Sequence, residues 1–167
     1  VAALVIFVLQ NNSWALGTHW REQSAVIRFA SKAAGYGIPG ITIFGNDPDE
    51  VAAASAWAAE RARAGKGPTL IELVTYRRSG HAHHDDVRFH ADAQTKRPGY
   101  ELEEERAAWA ARDPIELYER RLLDEKILSP EMVSGMREQV ALEVKEGEAR
   151  VTAKPWPEAS SFLGRVF

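Results

Sequence analysis

The chain has no cysteine, only two methionines and no apolar run near the length of a membrane span. Without cysteine there is no disulfide, no thiol nucleophile and no thiolate zinc site, a composition compatible with an intracellular setting. A membrane span needs about 18 or more consecutive apolar residues, and no basic segment precedes the first apolar stretch in the manner of a signal peptide. No membrane role is expected. Charge of one sign is also scarce, and a net charge of -3 argues against nucleic acid as a partner. What is present fits a soluble globular chain with a core: 167 residues, 45% hydrophobic and 27% charged. There are no internal repeats or low-complexity tracts.

Three short apolar runs, at residues 3–9, 40–44 and 69–75, are rich in β-branched residues and do not alternate. That is the pattern of parallel strands covered on both faces. The first of them, within Val1 to Leu9, reads as a buried central strand; opening a chain on such a strand, with no Met before it, leads to the expectation of a fragment without its N-terminal half. Between the second and third runs, Asp47-Pro48-Asp49-Glu50 opens an Ala-rich segment through Ala64 that stops at Gly65-Lys66-Gly67-Pro68. Acid and Pro in front with Gly behind punctuate a helix, so Ile41 to Thr75 forms a strand, helix, strand crossover. Ser24 to Ala34 is expected to hold a short helix ended by Gly35 to Pro39, which leaves Gln10 to Gln23 as a polar, aromatic loop. Further on, Glu101 to Ala111, Asp113 to Leu123 and Ser129 to about Val151 read as helices, with Asp113 and Ser129 as N-caps each followed by Pro. The expected fold class is α/β, a parallel sheet with flanking helices over residues 1–90, followed by a helical C-terminal region over 91–167.

Chemistry in layered α/β proteins gathers where strands end. Asn11-Asn12 follows the first run, and amide oxygens suit a hard divalent cation such as Mg²⁺; the same pair also suits a turn held by Asn side chains. At the end of the third run, Tyr76-Arg77-Arg78-Ser79-Gly80-His81 offers a guanidinium able to grip a phosphate and an imidazole able to move a proton, or else a solvated basic turn. His81, His83, His84 and His90 allow a transition-metal site by spacing, though no helical ligand pair occurs among them. Trp14 and Trp20 flank the Asn pair and could wall a cofactor pocket, whereas Trp57 and Trp109 sit at helical positions suited to packing. For Asp47 a helix-capping role suffices.

Taken in order, Gln10 to Thr18, Glu22-Gln23, Ala34 to Gly40, Gly45-Asn46-Asp47, Gly65 to Pro68, Tyr76-Arg77 with Gly80-His81, and Asp113-Pro114-Ile115 resemble the alpha subunit of thiamine-diphosphate-dependent 2-oxo acid dehydrogenases. The resemblance covers essentially the whole chain. It implies a partial thiamine-diphosphate-binding fold, with thiamine diphosphate and Mg²⁺ as cofactors. Asn12 matches the asparagine that binds Mg²⁺ through its side chain, and Trp14 the position that donates a backbone carbonyl to the same ion. Arg77 matches the arginine that grips the diphosphate, and His81 the loop histidine at the reacting centre. The implied reaction is oxidative decarboxylation of a 2-oxo acid with acyl transfer to a lipoyl group. The implied partners are a beta subunit, or a fused beta portion, and a lipoyl-bearing acyltransferase. The implied location is cytoplasmic in a bacterial setting or the mitochondrial matrix in a eukaryotic one. The family's Gly-Asp-Gly motif does not occur in these 167 residues, so the chain alone is expected to be inactive. Ala82 stands where mammalian relatives carry a regulatory serine. Gln10-Asn11-Asn12, Glu22-Gln23 and Asp85-Asp86 lean toward branched-chain substrates. The other readings are a non-enzymatic His-rich metal-binding or interaction module, and another thiamine-dependent enzyme such as a transketolase relative.

Overall fold

The computed structural model describes residues 4–82 and 99–161. Strands β1 (Ile6–Asn11), β4 (Gly40–Phe44) and β5 (Thr69–Val74) form a parallel sheet in the order β1-β5-β4. Between β1 and β4 lie a small antiparallel hairpin, β2 (Trp14–Ala15) with β3 (Thr18–His19), the short helix α1 (Trp20–Gln23) and a 3₁₀ segment, Phe29–Tyr36. Helix α2 (Pro48–Arg63) makes the crossover from β4 to β5. Asp47 caps it as expected, its Oδ1 accepting from the N–H groups of Asp49 and Glu50 at 2.9 and 3.2 Å. Helices α3 (Glu103–Ala110), α4 (Pro114–Asp124) and α5 (Pro130–Thr152) follow. The architecture is thus α/β, a parallel sheet flanked by helices, as a partial thiamine-diphosphate-binding fold requires.

One face of the sheet packs on α2 through Ala54 and Ala58, which meet Ile71, with Ile6, Ile41, Ile43 and Leu73 around them. Ala54, Ala58 and Ala62, four residues apart, give that helix a narrow face that lets its backbone approach the strands. The opposite face receives the 3₁₀ segment, whose Ala30 and Ala33 are buried. The approach there is so close that a Cβ on Gly40 would collide with the Ala30 carbonyl oxygen and the Ala33 side chain.

Three expectations need correction. The first strand runs from Ile6 to Asn11 rather than over 3–9, so Asn11 ends the strand instead of following it. The central strand is β5, paired on both sides, while β1 leaves Phe7 49% and Val8 61% exposed among the described residues. The apolar run was right about strand formation and silent about position, because β propensity does not say which neighbours a strand has. The helix expected over Ser24 to Ala34 is a 3₁₀ segment that starts at Phe29 and is closed by Gly37 at φ 66°. Burial of Ala30 and Ala33, three apart, matches the 3₁₀ repeat. By chain contacts the molecule divides into two compact units, residues 1–118 and 119–167; the expected boundary after residue 90 falls outside the described residues. In the second unit Ser129 caps α5, its hydroxyl accepting from the Met132 N–H at 3.3 Å.

Candidate functional site

The parallel register brings the carboxyl ends of the strands together: Asn11 lies beside Val74, and Val74 beside Phe44. The two segments that leave this edge are joined at once. The Thr75 N–H donates to the Asn11 carbonyl at 2.9 Å, and the Arg77 N–H to the Asn12 carbonyl at 3.0 Å. Two motifs far apart in sequence therefore share one rim.

The turn that carries Asn12 and Trp14 is strained and internally braced. Ser13 holds φ at 70° and Leu16 at 53°, the left-handed region that non-glycine residues rarely occupy. Asn12 Oδ1 accepts from the Trp14 N–H at 3.0 Å, so the amide does serve the turn. A carbonyl oxygen has a second lone pair, which leaves Asn12 Oδ1 able to meet a cation as well. Amide and backbone carbonyl oxygens are the right kind of donor for Mg²⁺. Two of them are a partial shell, against about six ligands for that ion. Among the described residues there is no group of three or more His, Cys, Asp or Glu that could hold a metal.

Trp14 is buried at the centre of an aromatic cluster. Its ring meets Tyr100 edge-on at 5.3 Å and His19 at 5.0 Å, and Tyr76 packs with it in the same core. Trp109 from α3 stacks on Tyr76 at 5.9 Å and on Phe44 at 6.0 Å. Burial pushes the Tyr76 phenol above its usual value, and the Glu105 and Glu101 charges add to the rise, which the neighbouring Trp14 indole opposes. Trp109 thus packs as expected, and Trp57 lies at the surface under the Arg61 guanidinium. Trp20 lines a cleft of about 390 Å³ together with Asn11, Ser13, Arg28, Glu72 and Trp109.

Arg77 reaches across the rim. Its Nε donates to the Ser79 carbonyl at 2.8 Å, and its Nη2 to the Leu16 carbonyl at 2.8 Å and the Tyr100 hydroxyl at 2.9 Å. One guanidinium therefore ties together the hairpin, the start of the loop that leads to His81 and the point where the chain returns. Arg78 turns away and pairs with Asp113, which also caps α4 through the Ile115 N–H at 2.9 Å. His81 is exposed on the loop. His83, His84 and His90, together with Asp85 and Asp86, lie outside the described residues.

Two residues were missed by sequence reasoning. Glu72 sits in the middle of β5 with 0% exposure, inside a run read only as an apolar strand. Its Oε1 accepts from Asn11 Nδ2 at 2.8 Å, and its Oε2 from the Ala30 N–H and the Thr42 hydroxyl, both at 2.9 Å. Burial pushes the Glu72 carboxyl up, but the hydrogen bonds from Ala30, Asn11, Thr42 and Phe29 together outweigh it and hold the group below its usual value. The signal was a lone acid at the centre of Leu70-Ile71-Glu72-Leu73-Val74, since a charge in a buried strand must have partners. His19 is the second. It is buried, its Nδ1 accepts from the Arg21 N–H at 3.4 Å, and its Nε2 lies 3.2 Å from Glu105 of α3. With Nδ1 accepting from Arg21, Nε2 is the nitrogen that donates toward Glu105. No local sequence pattern marks it.

Residues 1–160 match the family model described as dehydrogenase E1 component. The chain is 33% identical over 98% of its length to the pyruvate dehydrogenase E1 component subunit alpha of Porphyra purpurea, covering 44% of that protein. It is 35% identical over 98% of its length to the 2-oxoisovalerate dehydrogenase subunit alpha of Bacillus subtilis, covering 46%. Against the 3-methyl-2-oxobutanoate dehydrogenase subunit alpha of Mycobacterium tuberculosis it is 41% identical over 84% of its length, covering 36%. The chain spans less than half the length of these relatives.

Proposed function

The chain belongs to the dehydrogenase E1 component family, and from that premise we propose that it forms part of the decarboxylating component of a 2-oxo acid dehydrogenase complex, with thiamine diphosphate and Mg²⁺ as cofactors. The observation that carries this reading is the shared rim: the Arg77 N–H meets the Asn12 carbonyl at 3.0 Å, and the Arg77 side chain meets the Leu16 carbonyl of the hairpin. Arg77 and Asn12 thus share one strand-end rim, with Trp14 bonded to Asn12 beside it, and from Arg77 the chain leads to His81.

In this reading Asn12 Oδ1 and the Trp14 carbonyl are oxygen donors to the cation, and the Arg77 guanidinium supplies positive charge for the diphosphate while keeping the loop base in place. The packed rings of Trp14, Tyr76, Tyr100 and Trp109 exclude water behind the rim. Bound thiamine diphosphate supplies the electron sink for decarboxylation. His81, exposed on its loop, donates or orients a proton as the acyl group passes to a lipoyl sulfur on a partner. The partners of the proposal are a beta subunit, or a fused beta portion, and a lipoyl-bearing acyltransferase. Branched-chain 2-oxo acids are the favoured substrates, and two of the relatives above carry names of that class. The bacterial-type cytoplasm or the mitochondrial matrix is the corresponding location.

The test is lipoyl-domain acylation by the complete complex, offered branched-chain 2-oxo acids and pyruvate in turn. Acylation is expected, faster with the branched-chain acids; a preference for pyruvate overturns the substrate, and no acylation with either overturns the reaction. Calorimetry on the same assembly separates the metal-module alternative, because tight Zn²⁺ binding without a response to thiamine diphosphate and Mg²⁺ would replace this reading.

A further inference from the structure

We infer that Glu72 is a positioning residue whose carboxylate sets the amide orientation of Asn11 and, through it, the Ser13 turn that presents Asn12 and Trp14. The inference rests on the proposed reading of that rim as a cation and diphosphate site. An ionised carboxylate only accepts hydrogen bonds. Glu72 therefore forces Asn11 to turn its Nδ2 inward, at 2.8 Å, which leaves Asn11 Oδ1 facing outward to the Ser13 N–H at 3.4 Å. Ser13 is the residue held at φ 70°, and directly beyond it the Trp14 N–H bonds Asn12 Oδ1. A flip of the Asn11 amide would point an N–H₂ group at the Ser13 N–H and remove an acceptor from a residue held at positive φ.

The same carboxylate reaches the other two walls of the region. Its Oε2 accepts from Thr42 on β4 and from the Ala30 N–H of the 3₁₀ segment. Charge, full burial and three donors from three separate elements make Glu72 the point through which the strand end is aligned. Of the Glu72 partners Asn11, Ala30 and Thr42, Asn11 is the one that belongs to the rim, so the effect of Glu72 on a bound cation passes through Asn11.

The test is the Mg²⁺ dissociation constant of the complete enzyme with thiamine diphosphate present, read from tryptophan fluorescence well below the unfolding temperature. Glu72→Gln keeps the shape but turns one acceptor into a donor. With its oxygen toward Ala30 and Thr42, its N–H₂ faces Asn11 and drives the flip. Mg²⁺ binding is expected to weaken about tenfold, the scale of lost support behind a metal ligand. Adding Asn11→Asp to Glu72→Gln gives the N–H₂ an acceptor and leaves a second oxygen for Ser13, so affinity should return to within about threefold of wild type. Asn11→Asp alone sets two carboxylates face to face and should also weaken binding. If it tightens binding instead, added charge near the cation explains the double variant and the inference fails.

Thr42→Val removes a Glu72 contact without touching Asn11 and should leave Mg²⁺ affinity unchanged. A loss equal to that of Glu72→Gln would show general loosening and overturn the inference. Should Glu72→Gln fail to assemble, Asn11→Leu removes the bond to Glu72 and the acceptor of the Ser13 N–H together, and unchanged affinity in that variant overturns the inference just as well. A wild-type enzyme with no Mg²⁺ response overturns the reading of the rim and the inference with it. A responsive wild type with an unaffected Glu72→Gln overturns the inference alone.

Discussion

The carboxyl edge of the sheet and the helical C-terminal unit are held by opposite kinds of interaction. At the edge, Asn11 bonds Glu72 and Arg77 bonds Leu16, each across 61 positions in sequence. In residues 119–161 the side-chain pairs are mostly local: Arg121 with Glu125, Ser134 with Glu138 and Gln139 with Glu143 are all four apart. No residue of α4 or α5 is buried among those described. The edge exists only once the sheet has formed, whereas among the described residues α5 is held mostly by its own cap and its own turns, with Arg137 also reaching Glu119 of α4. Substitutions at the edge should therefore propagate, and substitutions in the helices should stay where they are made.

The sharpest way to break that contrast is Glu72→Leu. It leaves Asn11, Ala30 and Thr42 with donors facing an apolar group, and should cost roughly 2 to 4 kcal/mol of stability, measured by denaturant unfolding of the complete enzyme. The acid side follows from the lowered carboxyl of Glu72. Its contribution is fully present above the usual carboxyl value of 4.5 and is lost as pH falls through the lower folded value. Unfolding curves of Glu72→Leu should therefore lack the part of the acid destabilisation that wild type shows below pH 4.5. An equally steep fall in both proteins would remove Glu72 from the account.

Arg77→Ala comes next and tests whether the edge is a site as well as a scaffold. Cofactor binding in the complete complex should weaken by roughly 1 to 3 kcal/mol, the scale of a lost charge-assisted contact. The bonds to Ser79 and Tyr100 add a second expectation, that proteolysis of the loop after Ser79 speeds up in the same variant. Unchanged affinity with faster cleavage would make Arg77 a loop clamp only. For His81→Ala, turnover should fall more than cofactor affinity; equal losses in the two would argue for a purely binding role.

How far the chain could be read in advance differs between the two regions in the same way. The α2 and α5 helices were legible to within a residue or two, because Asp47-Pro48 and Ser129-Pro130 are local signals that act where they stand. The parallel sheet was legible from three apolar runs. The central place of β5 was not, since strand order depends on which segments meet. At the site, Asn12, Trp14, Arg77 and His81 were picked out by type and by likeness to a family. The structure adds that Arg77 bonds the Asn12 carbonyl across the strand ends and that Asn12 in turn accepts from the Trp14 N–H. Glu72 carried a visible signal that pattern reading passed over, because one acid does not interrupt a run of apolar neighbours. His19 had no signal at all, because its partner Glu105 is 86 positions away.

The helical side of the comparison is tested by the smallest changes. Ser129→Ala removes the side-chain acceptor of the Met132 N–H at the start of α5, and cap losses of this kind cost about 1 kcal/mol. Arg121→Ala breaks an exposed ion pair with Glu125, 3.0 Å long and four residues apart, worth no more than about 0.5 kcal/mol. Both side chains of that pair are about half exposed, at 48% and 50%, so salt should screen what little the pair contributes. If order in α5 is local, Ser129→Ala should raise amide exchange in its first turns and nowhere else, and neither variant should alter Mg²⁺ or thiamine diphosphate affinity. A change in cofactor affinity from Ser129→Ala would mean that the two regions are coupled and that the contrast drawn between them is wrong.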